Sequence, residues 1–331
     1  QKVADAVDFV IVADRPGALL AGRIELLLPL GGQLNALDDQ RALYTALGVL
    51  GIELVGHIDR RPRRADQPHH EIHLQVVLLA VVQGIGEFLP ISSSGHIVVL
   101  ASLFEQFGQP FPGEKLTVNI VLHLGTLLAI LVFYWRRILG LLGGERRVIG
   151  LLVVGTIPAV IAGLWIGRYF GGVLESPMTT GLMFPVTGLG LLWTIRATPG
   201  EVTCRSLSYG QALVIGLAQA LAILPGISRS GATIVAALAC GMRRDEAATF
   251  SFLLAIPVIA GGGLLHLVDV FEHPPADFQP GILAIGAMVS FAVGLFALSW
   301  LVRWLERGQL HRFAWWVLIL GPLVIAWQLL S

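Results

Sequence analysis

The sequence predicts an all-α polytopic membrane protein built as an inverted-topology repeat, each half carrying one re-entrant helical hairpin and three transmembrane helices. Three observations predict it. The 331-residue chain is 55% hydrophobic and 13% charged, which excludes an ordinary soluble domain because only lipid covers that much apolar surface. The segment Gln83–His96 recurs without a gap 136 residues later as Gln219–Ala232, with Ser92 on Ser228, Ser94 on Ser230 and Gly95 on Gly231. Arginines gather in some connections and are absent from others, which sets an orientation.

Residues 1–70 hold 17 Asp, Glu, Lys and Arg and the remaining 261 residues hold 27, so the membrane body is placed at 71–331. Asp8–Ala13 reads as a short buried strand. Gly17–Gly32 is apolar but interrupted by Arg23, Glu25 and Pro29, so neither stretch is a span. The run Arg60–Arg64, followed by Asp66–His70, reads as a solvated linker. No methionine precedes Met178 and the chain opens on Gln1. Residues 1–70 are either a fused accessory domain or, on the plainer reading, a fragment or an extension from an early start codon. Cys204 and Cys240 are too few and too far apart for a disulfide framework or a zinc site, and read as ordinary small residues.

Each crossing needs about 20 mostly apolar residues. The candidates are Leu116–Trp135, Val148–Phe170, Thr179–Ile195, Ala247–Phe271, Gly281–Val302 and Phe313–Leu330, six in all. Pro158, Pro185 and Pro257 lie inside them and are expected to kink rather than end them. The loops bearing Arg136, Arg137, Arg146 and Arg147, then Arg196 and Arg205, then Arg243 and Arg244, then Arg303, Arg307 and Arg312 are cytoplasmic by the positive-inside rule. Gly171–Pro177 and Glu272–Pro280 contain no Lys or Arg and face outside.

With that orientation, Leu74–Lys115 begins and ends outside, and Ser206–Glu246 begins and ends inside. Each is a re-entrant hairpin. The halves, about 72–200 and 206–331, then contain three crossings apiece, and an odd number inverts the second copy against the first. The two hairpin tips meet near the midplane.

The tips carry the chemistry. Pro90 and Pro225 break the backbone, a serine-rich turn follows, and Ile97–Leu103 and Ile234–Leu238 continue as helix. Serines at those turns are good N-caps, and two helix N-termini aimed at one cavity make an anion site, with phosphate the obvious candidate. Arg229 strengthens this, since a guanidinium fork matches phosphate oxygens and is costly in a membrane without an anionic partner. Gln83 and Glu87 share one helix face at a spacing of four, and suit a hard divalent cation that takes its remaining oxygens from water and phosphate. His96 is the candidate for proton transfer or for holding an intermediate, and Ser93 is the nucleophile if the reaction is covalent.

Plainer roles compete with these. Glu87 and Arg229 also read as a structural ion pair, and Ser92, Ser94, Ser228 and Ser230 as caps and backbone binders rather than nucleophiles. His123 and His266 read as packing histidines, and Asp269 and Glu272 as interfacial residues at a span end. No G-x-x-x-x-G-K-[ST] phosphate loop is present, which argues against a kinase.

Gln83–His96 and Pro225–Thr233 resemble the two signature motifs of the undecaprenyl-diphosphate phosphatase family, also called the bacitracin-resistance protein family. His123–Ala129, Tyr134–Arg137 and Phe250–Pro257 add to the likeness, which runs from about Ile72 to the C-terminus. The resemblance implies a hydrolase that converts the C55 polyprenyl diphosphate to the monophosphate, recycling the carrier for cell-wall polymers and conferring bacitracin resistance. It implies metal binding and catalysis by Gln83 and Glu87, catalytic roles for Ser93 and His96, and Arg229 as the phosphate-binding residue. The phosphate-binding set is completed by Ser92, Ser94, Gly226, Ser228, Ser230 and Thr233. It further implies Mg²⁺ or Ca²⁺, a multi-pass protein of the bacterial inner membrane, and a site open to the periplasmic side. Two departures stand out: Gln83 takes the amide option of the first motif, and residues 1–70 have no counterpart.

The expected partners are a polyprenyl diphosphate and membrane lipids, with no nucleic acid; a homodimer is compatible with the sequence. The expected reaction has Arg229 and the hairpin N-termini clamping the diphosphate, a divalent ion on Glu87 and Gln83, and attack by Ser93 or water. A polyprenyl-phosphate or anion transporter on the same inverted repeat is the rival reading.

Overall fold

The chain divides into two compact units, residues 1–66 and 67–331. The structure is a computed structural model that describes residues 9–12, 19–22, 69–109, 111–112, 115–198, 200–272 and 279–330; side-chain environments are described from residue 73, apart from 264–269 and 271–272. In the first unit β1 (Phe9–Val12) and β2 (Leu19–Gly22) pair antiparallel, Phe9 opposite Gly22 and Val12 opposite Leu19. β1 falls inside the expected strand, where Val10, Ile11 and Val12 favour extended backbone. The Arg60–Arg64 linker, the connection 273–278, and the side chains of His266, Asp269 and Glu272 lie outside the described residues.

The second unit is helical. Helix α1 (His69–Phe88) turns back into α2 (Ser93–Gln106). Then come α3 (Lys115–Phe133), the short α4 (Trp135–Leu142), α5 (Arg146–Tyr169), the single turn α6 (Gly171–Leu174) and α7 (Pro177–Trp193). Helices α8 (Tyr209–Leu221) and α9 (Arg229–Ala239) form a second hairpin. Helices α10 (Arg244–Glu272) and α11 (Pro280–Glu306), a 3₁₀ turn (Leu310–Phe313) and α12 (Ala314–Leu330) complete it.

Five segments among the described residues are long and apolar enough to cross a membrane: α3, α5, Arg244–Gly263 of α10, α11 and Leu310–Leu330. This is a multi-pass membrane protein with five such helices where six were expected. The sixth candidate is α7, whose 17 residues stand at the lower end of the length that crosses a bilayer, roughly 17–25 residues. Ser176 Oγ caps the start by accepting from Thr179 N at 3.2 Å, and Thr194 closes the end by donating its hydroxyl to Leu191 O at 2.6 Å. Pro158, Pro185 and Pro257 all lie inside helices without ending them.

Helices pack in cross-half pairs. Helix α7 lies on α12, α1 and α3 on α11, α5 on α8, and α3 on α10. The largest core joins Phe88, Ile234, Phe250, Phe252 and Leu298, all fully buried, with the Phe88 and Phe252 rings 5.6 Å apart. At one end, two arginine-rich connections are tied together. Glu145 accepts from Arg137 and from Arg205, each at 2.7 Å, and Arg147 donates to the carbonyls of Arg205 and Leu207. The two guanidinium hydrogen bonds hold the Glu145 carboxyl far below its ordinary value, at about 2, against the opposing effect of burial.

Candidate active site

Helix α1 stops where Pro90 removes a backbone donor, and the chain re-enters helix at Ser93. Ser92 sits between at φ 69°, the one non-glycine residue with positive φ among the described residues; such backbone costs on the order of 1–3 kcal/mol. Its hydroxyl offsets that by accepting two backbone donors. One is Gly95 N at 3.3 Å, the N-cap bond of α2, and the other is Gly226 N at 3.1 Å, in the second copy of the repeated segment.

The second turn is held from both sides. Ser228 Oγ accepts from Gly231 N at 3.1 Å and caps α9. Thr187 of α7 donates to Gly226 O at 2.8 Å and accepts from Ser228 N at 3.0 Å. Gly226 has φ 96°, and a Cβ there would meet Thr180 O at 2.5 Å; a Cβ on Gly95 would meet Gly226 N at 2.9 Å. The hairpin turns therefore touch, and only glycine allows that distance.

This contact brings the charged residues together. Arg229, the first residue of α9, donates through Nη2 to Glu87 Oε1 at 2.7 Å, and Glu87 is 7% exposed. Glu87 Oε2 accepts from Ser93 Oγ at 2.8 Å and from Gln83 Nε2 at 3.0 Å, and lies 3.4 Å from His123 Nε2. His123 Nδ1 lies 2.8 Å from Asn119 O. A carbonyl only accepts, so Nδ1 donates there and Nε2 is the nitrogen turned to the Glu87 carboxylate.

Glu87, Ser92, Ser93, Ser94, Asn119, His123, Gln219 and Arg229 line a cavity of about 310 Å³. Its remaining wall is apolar, including Ala159, Ile223, Ile227 and Ile259. Of the residues expected to act, Glu87, Ser93 and Arg229 meet here. Ser92 and Ser94 are on the wall, their hydroxyls 3.3 Å apart.

Other expected residues lie elsewhere. His96 is not on the cavity wall. Its Nδ1 lies 2.7 Å from Ser92 O, its Nε2 accepts from Trp316 Nε1 at 2.8 Å, and its ring stacks on Trp316 and meets the edge of Phe184. Both ring nitrogens are engaged in these contacts. His123, expected as a packing residue, faces Glu87 instead. The signal available for it was Asn119 and His123 at a spacing of four, two polar residues on one face of an apolar span.

Ser228, Ser230 and Thr233, expected to bind phosphate, are fully buried and off the wall. Thr233 donates to Arg229 O at 2.8 Å and Ser228 and Ser230 share a contact of 3.2 Å. Gly226 N is taken by Ser92. Gln83 is also fully buried behind Glu87, using its N–H on the carboxylate while its Oε1 has no partner among the described residues.

Among the described residues no cluster of three or more His, Cys, Asp and Glu exists. The cavity does offer an all-oxygen set. Glu87 supplies a carboxylate, and Asn119 Oδ1 and Gln219 Oε1 are wall atoms without hydrogen-bond partners among the described residues. One carboxylate plus amide oxygens fits a hard cation that retains several waters, and leaving buried amides unpaired costs about 1–3 kcal/mol each unless a ligand meets them.

The family model described as bacitracin resistance protein BacA matches residues 76–323. A protein of Rhodopirellula baltica named undecaprenyl-diphosphatase is 50% identical over 253 residues, covering 76% of this chain and 96% of its own. Proteins of that name from Pelotomaculum thermopropionicum and Moorella thermoacetica are 38% identical over 259 residues and 37% over 261, covering 76% of this chain in both cases and 95% and 97% of their own.

Proposed function

The chain belongs to the bacitracin resistance protein BacA family, and from that premise we propose that it is an undecaprenyl-diphosphatase. On this reading it hydrolyses undecaprenyl diphosphate to undecaprenyl phosphate and orthophosphate, and so returns the lipid carrier to cell-wall synthesis. The observation that carries the reading is the meeting of Ser93, Glu87 and Arg229 where the two hairpin turns touch.

The reaction follows from the contacts. An incoming diphosphate competes with Glu87 for Arg229, whose fork matches phosphate oxygens. As Arg229 turns to the ligand, Glu87 loses its cation and becomes the stronger base for the proton that Ser93 Oγ already points at it. Ser93 then attacks the terminal phosphorus in line, its proton passes to Glu87, and the bridging P–O bond breaks to release the polyprenyl phosphate. Glu87 hands that proton to the departing polyprenyl phosphate; water then hydrolyses the phosphoserine, its proton passing through Glu87 back to Ser93 Oγ as orthophosphate leaves. His123, beside Glu87, takes over the proton-handling role expected of His96.

Mg²⁺ or Ca²⁺ fits the cavity's oxygen donors. Glu87 and Asn119 are the wall residues to hold it, with Gln83 behind Glu87, and the ion when bound neutralises charge on phosphate oxygens. Arg229 remains the protein's own clamp on the substrate.

The packing supports the inverted repeat. Hairpin helix α1 lies on α11, the middle crossing of the second half, and its counterpart α8 lies on α5, the middle crossing of the first. First crossings α3 and α10 meet, as do third segments α7 and α12. Reciprocity of this kind is expected of a pseudo-two-fold axis in the membrane plane. Helices α2, α8 and α9, with 14, 13 and 11 residues, are too short to cross, which supports re-entrant hairpins. Contact between the 136–147 and 196–208 connections supports a shared cytoplasmic face, with the site opening outward from the bacterial inner membrane.

The test is direct. The purified full chain in detergent, given a polyprenyl diphosphate, is expected to release orthophosphate. No release, together with movement of labelled lipid or anion across vesicles containing the protein, would establish the transporter instead.

A further inference from the structure

Gln219 holds in the second copy of the repeat the place that Gln83 holds in the first. The first amide is used within the protein, donating Nε2–H to Glu87 four residues on. Four residues after Gln219 stands Ile223, so the same helical spacing gives the second amide no carboxylate. Gln219 is 2% exposed and lines the cavity with Arg229 and Ile223. Neither its Nε2 nor its Oε1 has a hydrogen-bond partner among the described residues. Native interiors leave few such groups unpaired, and one on a cavity wall points to a ligand.

The chemistry of that ligand follows from the neighbours. The ionisable residues on the wall are Glu87, His123 and Arg229, with Glu87 already held by Arg229, Ser93 and Gln83. A buried amide on the wall residue of such a cavity offers two N–H donors without adding charge, which suits an anionic oxygen.

We propose that Gln219 is a substrate-positioning residue, its Nε2 donating to a phosphate oxygen of the bound diphosphate and its Oε1 accepting from an ordered water or a phosphate hydroxyl. Duplication supplied two equivalent amides, and the exchange of a carboxylate for Ile223 released the second from internal duty. The assignment rests on the diphosphatase reading for the identity of the anion.

Gln219→Leu keeps the size and removes both polar atoms. In the full chain, kcat/KM on a polyprenyl diphosphate is expected to fall about tenfold, the loss of one hydrogen bond to a charged group. The ligand-free melting temperature is expected to stay level or rise, since a buried unpaired amide has gone, while the stabilisation produced by inorganic diphosphate shrinks. Gln219→Glu, whose carboxylate repels the anion, is expected to lose more than Gln219→Leu on both readouts. Values of kcat/KM and diphosphate stabilisation within twofold of wild type in either variant overturn the assignment. So does a lower ligand-free melting temperature with unchanged diphosphate stabilisation in Gln219→Leu, because the amide would then be structural. If wild type binds inorganic diphosphate but releases no orthophosphate from the lipid, the hydrolase reading fails, and the stabilisation comparison still decides the role of Gln219.

Discussion

Arg229 Nη2 stands 2.7 Å from Glu87 Oε1, joining two residues 142 positions apart. The contact spans the two copies of one repeated segment and sets a guanidinium against a buried carboxylate. Arg229→Ala removes the clamp and leaves Glu87 without its guanidinium. Orthophosphate release is expected to fall at least 100-fold, with Arg229→Lys intermediate because an ammonium is a point charge rather than a fork. A rate for Arg229→Ala within tenfold of wild type would remove the residue from substrate binding.

Ser93 Oγ already donates to Glu87 Oε2. Losing an activated nucleophile removes the covalent route, so Ser93→Ala is expected to lower kcat by about 10²–10⁴. Acid quench of a single turnover with wild type is expected to trap phosphoserine at position 93. Direct attack by water would leave no trapped species and a much smaller effect of the alanine.

The two histidines should separate by readout. His123 faces Glu87, so His123→Ala is expected to lower kcat with little change in melting temperature. His96 is bonded to Ser92 O and to Trp316, so His96→Ala is expected to lower thermal stability and activity together, each lost hydrogen bond contributing about 1 kcal/mol. A stable His96→Ala protein with abolished kcat would return the proton role to His96.

Glu145 carries the pH dependence of the arginine-rich connections. Its folded pKa, about 2, lies below the ordinary 4.5 because Arg137 and Arg205 hydrogen-bond its anion. A depressed carboxylate stabilises the fold above its unfolded pKa and loses that contribution as pH falls through the folded value. The difference in melting temperature between wild type and Glu145→Gln should thus be constant above about pH 5 and shrink towards pH 2. A difference that stays flat over that range would show that the ion pairs contribute nothing.

Chelation tests the oxygen-donor set. Exhaustive removal of divalent ions is expected to stop turnover, and Mg²⁺ or Ca²⁺ to restore it, since Glu87 and amide oxygens match hard cations. Orthophosphate release that continues in excess chelator would take the ion out of the reaction.

Much of this was written locally. Hydropathy located the long helices, serine before a helical run located both caps, and Ser92 and Ser228 do cap α2 and α9. These are properties of a few consecutive residues, so sequence reveals them. Glu87 and Arg229 were legible as well, because charge in an apolar hairpin has few reasons to exist.

What the sequence determined by itself was the membrane class, the duplication, and the chemical kind of the site: a carboxylate, an arginine and serines on two helix starts. What only the tertiary structure decided was which polar groups reach the cavity. Whether His96 or His123 meets Glu87, and which of Gln83 and Gln219 lines the cavity, depends on how each helix is rotated about its axis. That rotation is set by contacts from distant segments, such as Trp316 of α12 on His96 and the Ser92 hydroxyl on Gly226. Two copies of one segment thus became unequal partners through the neighbours that each one packs against.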